Sequence, residues 1–208
     1  MTRGEGRQRI CEAAVRLFNE QGYDAVSLRQ IAAEAGTTIG NLSYHFKHKE
    51  DLIAAILEDL HAGFSDKLDR SLEGAALMDH LMGLIVANEE NQRRYPFYFE
   101  NLSQLMVEFP SLKGENDSFA RDICAYYAWA FGRLAGAGWL EESTNAEVLA
   151  YALVEMQSSW VQASSPYHNE LLPTLPLSKA LATLLEAHIA ATHRDDLRAI
   201  CAGLGIEL

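Results

Sequence analysis

From Ile10 onward the apolar residues recur with helical period. Ile10, Ala14, Leu17 and Phe18 share one face of an amphipathic helix, and Gly22 stands where a C′ residue ends it. Ser27 and Gln30 have the spacing of a capping box, and Val26 and Ile31 are placed as a hydrophobic staple across the same start. A helix is therefore expected from Leu28, running through Ile31, Ala32 and Ala35 to Gly36. Thr37 or Thr38 can cap another short helix through Leu42. A fourth is expected near Lys49, where Glu50 and Asp51 favour the positive end of the dipole and Leu52, Ile53, Ile56, Leu57, Leu60 and Phe64 form the stripe.

Past residue 72 the patterns lengthen. Ala75 to Arg94 reads as one helix, Pro96 suits the N1 position of the next, and Pro110 interrupts after Phe109. Phe119, Ile123, Tyr126, Tyr127, Ala130 and Leu134 describe a long helix that ends in "GRLAGAGWL". Two further helices are expected. The first starts near Ser143 or Thr144 and presents Val148, Leu149, Ala152, Leu153, Met156 and Trp160; the second presents Leu177, Leu181, Leu184, Leu185, His188 and Ile189. Between them "SSPYHNELLPTLPL" holds three prolines and reads as a loop. No stretch alternates as a strand does, so the fold class is all-α.

The formal charge of −12 argues against a nucleic-acid partner until its distribution is considered. Residues 1–50 hold seven Lys/Arg against six Asp/Glu, a net of +1, while residues 51–208 hold ten against 23, a net of −13. A basic head on an acidic body is the pattern this suggests. Cys11, Cys124 and Cys201 lie far apart in no metal or redox spacing, and a reducing cytoplasm suits them. The polar "MTRGEGRQRI" is no signal peptide, and no apolar run is long enough to span a bilayer, so no membrane partner is expected. His45 and His48 are three apart with no third ligand near, and Gly132, Gly136 and Gly138 follow a helix without the G-x-G-x-x-G spacing. There is no G-x-S-x-G, H-E-x-x-H or P-loop. No metal, cofactor, catalytic residue or enzymatic activity is expected.

What remains is helix, glycine turn, helix: a unit sized for the major groove of B-DNA, with a preceding helix to hold its angle. Ile31, Ala32, Ala35, Leu42 and Phe46 supply the apolar contacts that lock the pair. Thr38, Asn41 and Ser43 can hydrogen-bond base edges or phosphates, Ile39 can touch a thymine methyl, and Gly40 lets backbone approach closely. Tyr44, His45, Lys47 and Lys49, with the starts of the second and fourth helices, are candidates for phosphate.

Residues 8–54 resemble the DNA-binding domain of the tetracycline-repressor (TetR) family. "AVRLFNEQGYDAVSLRQIAAEAG", "GNLSYHF" and "KEDL" follow one another in that family's order and spacing. The resemblance implies a DNA-binding domain over residues 1–47 and an effector-binding and dimerisation domain over 48–208. It implies a cytoplasmic homodimer on a pseudo-palindromic operator in double-stranded DNA, acting as a repressor released by a small-molecule effector. The DNA-contacting candidates are Ser27, Thr37, Thr38, Ile39, Gly40, Asn41, Ser43, Tyr44, His45, Lys47 and Lys49. Two positions depart from the family: Ser43 stands where a tyrosine usually touches DNA, and His48 where Ser or Asn usually caps the fourth helix.

Aromatic residues crowd three helices, among the polar Glu100, Gln104 and Gln157, as in a ligand pocket with a few directional groups. Tyr98, Tyr126, Tyr127 and Trp160 are the effector candidates. Ala152, Met156, Ala180, Leu181, Leu184 and Ile189 are the dimer candidates, forming a four-helix bundle with a twin chain. The alternative is a helical ligand-binding or interaction module whose DNA-binding head is impaired, to which Ser43 and the acidic total point.

Overall fold

The computed structural model describes residues 3–163 and 175–208, with side chains from residue 4 to residue 161 and from 175 onward. The described residues form ten α-helices and one 3-10 turn: α1 (Arg3–Gln21), α2 (Leu28–Glu34), α3 (Ile39–His45), α4 (Lys49–Ser65), α5 (Gly74–Arg94), α6 (Pro96–Glu108), α7 (Pro110–Gly136), α8 (Ala146–Ala163), α9 (Leu177–Glu186), the turn Ala191–His193, and α10 (Arg194–Gly203). No β-strand occurs among them, only an isolated antiparallel bridge between Leu140 and Ile189. The fold is all-α. The proline-rich loop expected over residues 164–177 lies, up to residue 174, outside the described residues. No described helix is long and apolar enough to cross a membrane.

The chain divides into two compact units, residues 1–63 with 95–115, and residues 64–94 with 116–208. In the first, α1, α2 and α3 pack on one another around Ile10, Phe18, Ile31, Leu42 and Phe46, joined by the α4 stripe from Leu52 to Leu60. The same unit takes in α6 and the first residues of α7. The Phe97 ring lies 5.2 Å from that of Phe18, and the Phe97 N–H donates to Asn19 Oδ1 at 3.3 Å. The Tyr23 hydroxyl donates to Glu108 Oε2 at 2.7 Å, and the Ser111 hydroxyl donates to Glu50. Within α6 the backbone departs from helix at Asn101 (φ −115°, ψ 16°), where the side-chain amide bonds Phe97 O at 2.8 Å. A side chain inserted into the i→i−4 ladder is a known cause of such a kink.

The second unit centres on α5, which packs against α8, α9 and α10. Leu77, Met78, Leu81, Met82 and Ile85 from α5 meet Tyr126, Tyr127, Phe131 and Leu134 from α7 and Leu181, Leu185, Leu197 and Cys201 from the last two helices. Pro176 offers α9 no side-chain cap, so its free N–H groups find a distant partner: the buried Glu89 carboxylate accepts from Ser178 N at 3.1 Å and from Arg93 as well. A charged acceptor at a helix N-terminus is stabilised both by the hydrogen bond and by the dipole.

Three details differ from the sequence expectation, each for a local reason. The cap of α8 is Asn145, whose Oδ1 accepts from the N–H groups of Glu147 and Val148, rather than Ser143 or Thr144. A further helix, α10, follows the one expected to be last. Its apolar residues, Leu197, Cys201 and the half-buried Ile200 and Leu204, have helical spacing, but a ten-residue stripe interrupted by charges is a weak signal. His48 contributes no side-chain cap; instead Asp51 Oδ2 accepts its backbone N–H at 2.9 Å, half of a capping box supplied from the N3 side.

Candidate DNA-binding site

The capping box forms as the spacing predicts. Gln30 N–H donates to Ser27 Oγ at 3.3 Å, and Ser27 N–H donates to Gln30 Oε1 at 2.9 Å. The Ser27 hydroxyl also donates to Gln30 Oε1, so this candidate DNA contact is engaged within its own cap. At the other end, Gly36 N–H bonds Ala33 O and Thr37 N–H bonds Ala32 O, the paired bonds of a Schellman motif. Gly36 has φ +60°, a conformation in which a side chain is strained, so glycine is required for this turn. Thr38 then caps α3, accepting from Asn41 N–H at 3.1 Å.

The apolar side of α3 is firmly held. Leu42 is fully buried and Phe46 nearly so, against Ile31, Ala32 and Ala35, all in the core of the first unit. Burying a leucine or phenylalanine side chain contributes about 1.5–3 kcal/mol, so these two residues alone fix the rotation of α3 about its axis. The opposite edge faces outward. Thr38, Ile39, Gly40, Asn41, Ser43, Tyr44 and Lys47 are exposed, Ile39 at 43% and Tyr44 at 66%, while Thr37 and His45 are half-buried. The His45 ring sits edge-on to Tyr44, with centroids 5.3 Å apart. Large apolar side chains held in solvent beside hydroxyl and amide groups have the make-up of a recognition surface.

The basic residues around this edge divide sharply by what they touch. Arg7 approaches Glu58 and Asp59 at 3.8 and 3.7 Å, and Arg16 pairs with Glu34 at 3.1 Å. Lys49 Nζ donates to Tyr23 O and Asp24 O at 2.7 and 3.1 Å, tying the start of α4 to the α1–α2 turn. Arg29 and Lys47 are exposed and pair with no carboxylate among the described residues. Arg29 was not among the sequence candidates. Its exposure on the first turn of α2 is what marks it, and sequence alone does not separate it from Arg16.

The aromatic candidates fall in both units. Tyr98 belongs to the first, buried, with its hydroxyl 3.5 Å from His61 Nε2. Tyr126, Tyr127 and Trp160 belong to the second. The Tyr126 hydroxyl donates to Asp69 O at 2.8 Å, and the Arg70 guanidinium lies over the Tyr126 and Trp129 rings at 5.8 and 5.1 Å. Tyr127 is fully buried with its hydroxyl 3.5 Å from Gln157 Oε1, and burial pushes its pKa up. Asn88 and Gln92 also bond Gln157, giving a neutral polar network inside this unit. Glu100 and Gln104 face solvent. Of the dimer candidates, Ala152 and Leu184 are exposed and Met156 is half-buried; Ala180, Leu181 and Ile189 are buried, the last two fully. Leu181 and Ile189 belong to the core of their own unit and present no side-chain surface. Val148 and Tyr151, at 64% and 62% exposure, extend the open face of α8 instead.

The likeness to known proteins falls into two parts. The sequence profile described as bacterial regulatory proteins, tetR family, matches residues 10–56. Over 54 residues the chain is 48% identical to the HTH-type transcriptional regulator AcrR of Shigella flexneri, covering 26% of this chain and 25% of that one. Over 63 residues it is 35% identical to the probable HTH-type transcriptional regulator YttP of Bacillus subtilis, covering 30% of each. The match thus spans less than a third of these relatives. Fold likeness runs much further: a TetR-family transcriptional regulator from Marinobacter aquaeolei superposes over 96% of this chain and 97% of its own, with a TM-score of 0.79 at 20% identity. A structure described as a SmeT–triclosan complex superposes over 90% of this chain and 93% of its own, with a TM-score of 0.66 at 24% identity. The sequence likeness thus places residues 10–56, where α1 to α4 build the exposed edge, with the tetR family of bacterial regulatory proteins, and the fold is shared along nearly the whole length of the chain.

Proposed function

We propose that this protein is a sequence-specific transcriptional regulator, a cytoplasmic homodimer that represses from a pseudo-palindromic operator and is released by a small-molecule effector. The observation that carries this reading is the outward polar edge of α3, braced from behind by Leu42 and Phe46. DNA binding is assigned to residues 1–47, with Thr37, Thr38, Ile39, Gly40, Asn41, Ser43, Tyr44, His45 and Lys47 on or beside the reading edge and Arg29 added to them. In this reading Lys49 braces the head from within, because its ammonium is held by two carbonyls. Effector binding and dimerisation are assigned to residues 48–208. The exposed residues Val148, Tyr151, Ala152 and Leu184 supply the dimer face, and Tyr126, Tyr127 and Trp160 with the Gln157 network supply effector contacts.

In such a dimer two copies of α3 enter successive major grooves about 34 Å apart, and an effector acts by favouring a state in which that separation is wrong. An effector with a hundredfold preference for the released state contributes about 2.7 kcal/mol, so the two states must lie close in energy without it. SmeT, whose fold this chain shares, is described as the repressor of a multidrug efflux pump. Selection of bound sequences from a random DNA pool, followed by anisotropy titration of the winner, tests the reading. The expected result is a two-fold related consensus bound far more tightly than random DNA. Failure to retain any sequence at low salt refutes it, and weak binding to random DNA as well would mark an impaired head.

A further inference from the structure

Two threonine hydroxyls converge on one asparagine at the start of α3. Thr38 Oγ1 accepts the backbone N–H of Asn41 at 3.1 Å, and Thr37 Oγ1 accepts a hydrogen bond from Asn41 Nδ2 at 2.8 Å. Thr37 is itself well fixed. It is half-buried, and its N–H closes the Schellman bond to Ala32 O at 2.9 Å. Asn41 is exposed, with Gly40 on one side and the buried Leu42 on the other. An unrestrained surface side chain must give up rotamer freedom when it binds. The bond to Thr37 has removed part of that freedom beforehand.

The bond also decides what Asn41 offers. One Nδ2 hydrogen is engaged by Thr37; Oδ1 and the second Nδ2 hydrogen have no partner among the described residues. One acceptor and one donor remain, side by side on a planar amide. In the major groove that pair is complementary to adenine, which presents the N6 amino group as donor next to N7 as acceptor. Cytosine presents a donor without the neighbouring acceptor, and guanine two acceptors.

We propose that Thr37 is a positioning residue that holds the Asn41 amide edge-on to the groove, so that each head reads one adenine in its half-site. This rests on the reading of α3 as the helix that enters DNA. Thr37 makes no base contact in this arrangement; it acts through Asn41.

The test uses the full-length protein and the operator selected by the wild type, with each position of one half-site replaced in turn by the other three bases. Wild type is expected to favour adenine at one position by about tenfold, the size of one well-placed polar contact. Asn41→Ala abolishes that preference. Thr37→Val, which keeps the shape and removes the hydroxyl, loses most of it, and Thr37→Ser retains it. The double variant Thr37→Val/Asn41→Ala is no worse than Asn41→Ala alone, because the two residues form one chain of interaction. The thermal midpoint of Thr37→Val stays close to that of Thr37→Ser. An adenine preference that survives Thr37→Val, or additive losses in the double variant, overturns the proposal. A wild type that selects no sequence overturns the regulator reading itself, which is a separate result.

Discussion

The small number of unpaired cations on the head makes a quantitative statement about salt. Among residues 1–50, Arg7 and Arg16 face carboxylates, Lys49 is held by two carbonyls, and the Arg9 Nε is buried. Arg29 and Lys47 remain exposed and unpaired with acids among the described residues. If each head neutralises two phosphates with these groups, a dimer releases counterions from about four, and log K falls against log salt with a slope of about −3.6. Between 50 and 200 mM salt that corresponds to a loss of about 150-fold in affinity. Replacing Lys47 with Ala in both protomers removes about two phosphate contacts, halves the slope to about −1.8 and shrinks the loss to about twelvefold. Counting one more cation per head, such as Arg3, whose side chain lies outside the described residues, brings the figure to about −5.4. Anisotropy of a labelled operator across this salt range measures both slopes. A wild-type slope steeper than about −7, or one unmoved by Lys47→Ala, would show that the ion pairs and carbonyl bonds above do not hold their cations away from DNA.

Other substitutions separate bracing from contact. Lys49→Ala, which frees two carbonyls in the α1–α2 turn, is expected to lower stability by about 1–2 kcal/mol in urea titration while leaving the salt slope unchanged. Leu181→Ala, at a fully buried position, is expected to cost about 2–5 kcal/mol of stability, whereas Leu184→Asp, at a position 45% exposed, is expected to split the dimer in sedimentation with little change in the protomer's fold. Burial pushes the His61 imidazole down to about 4, so the folded state binds its proton less readily than the unfolded state. The stability this group contributes is complete above pH 6.5 and is lost as pH falls from 6.5 toward 4; discounted for partial exposure it is on the order of 1–2 kcal/mol, and urea titrations of wild type and His61→Leu across that window measure it.

The exposed edge of α3 was legible because its signals are local. A capping box, a glycine with positive φ and a threonine cap each depend on residues within a few positions of one another, and Ser27, Gly36 and Thr38 behave as their spacing predicts. Helical period likewise separates Leu42, which is buried, from Asn41 and Ser43, which are not. Lys49 shows where this reasoning ends. Its place after an aromatic turn suits phosphate, but its partners are carbonyls 26 and 25 positions earlier in the chain, and no periodicity reveals a bond of that range. Leu181 and Leu184 show the same limit on an apolar stripe. Both read as apolar positions on one helix, and only packing against α5 and its neighbours decides that the first is core and the second surface.

The same long-range packing changes what the head consists of. The motif from Ile10 to Phe46 reads as a self-sufficient set of three helices, yet its compact unit also holds residues 95–115, which return to it after thirty-one residues given to the other unit. The contacts that bind this segment are specific: Phe97 against Phe18, Asn19 on the Phe97 N–H, and Glu108 on the Tyr23 hydroxyl, which is the residue whose carbonyl holds Lys49. Through that chain of bonds the C-terminal end of α6 helps set the α1–α2 turn and the start of α4, on either side of the reading helix. A segment so placed is joined by peptide bonds at both ends to the other unit.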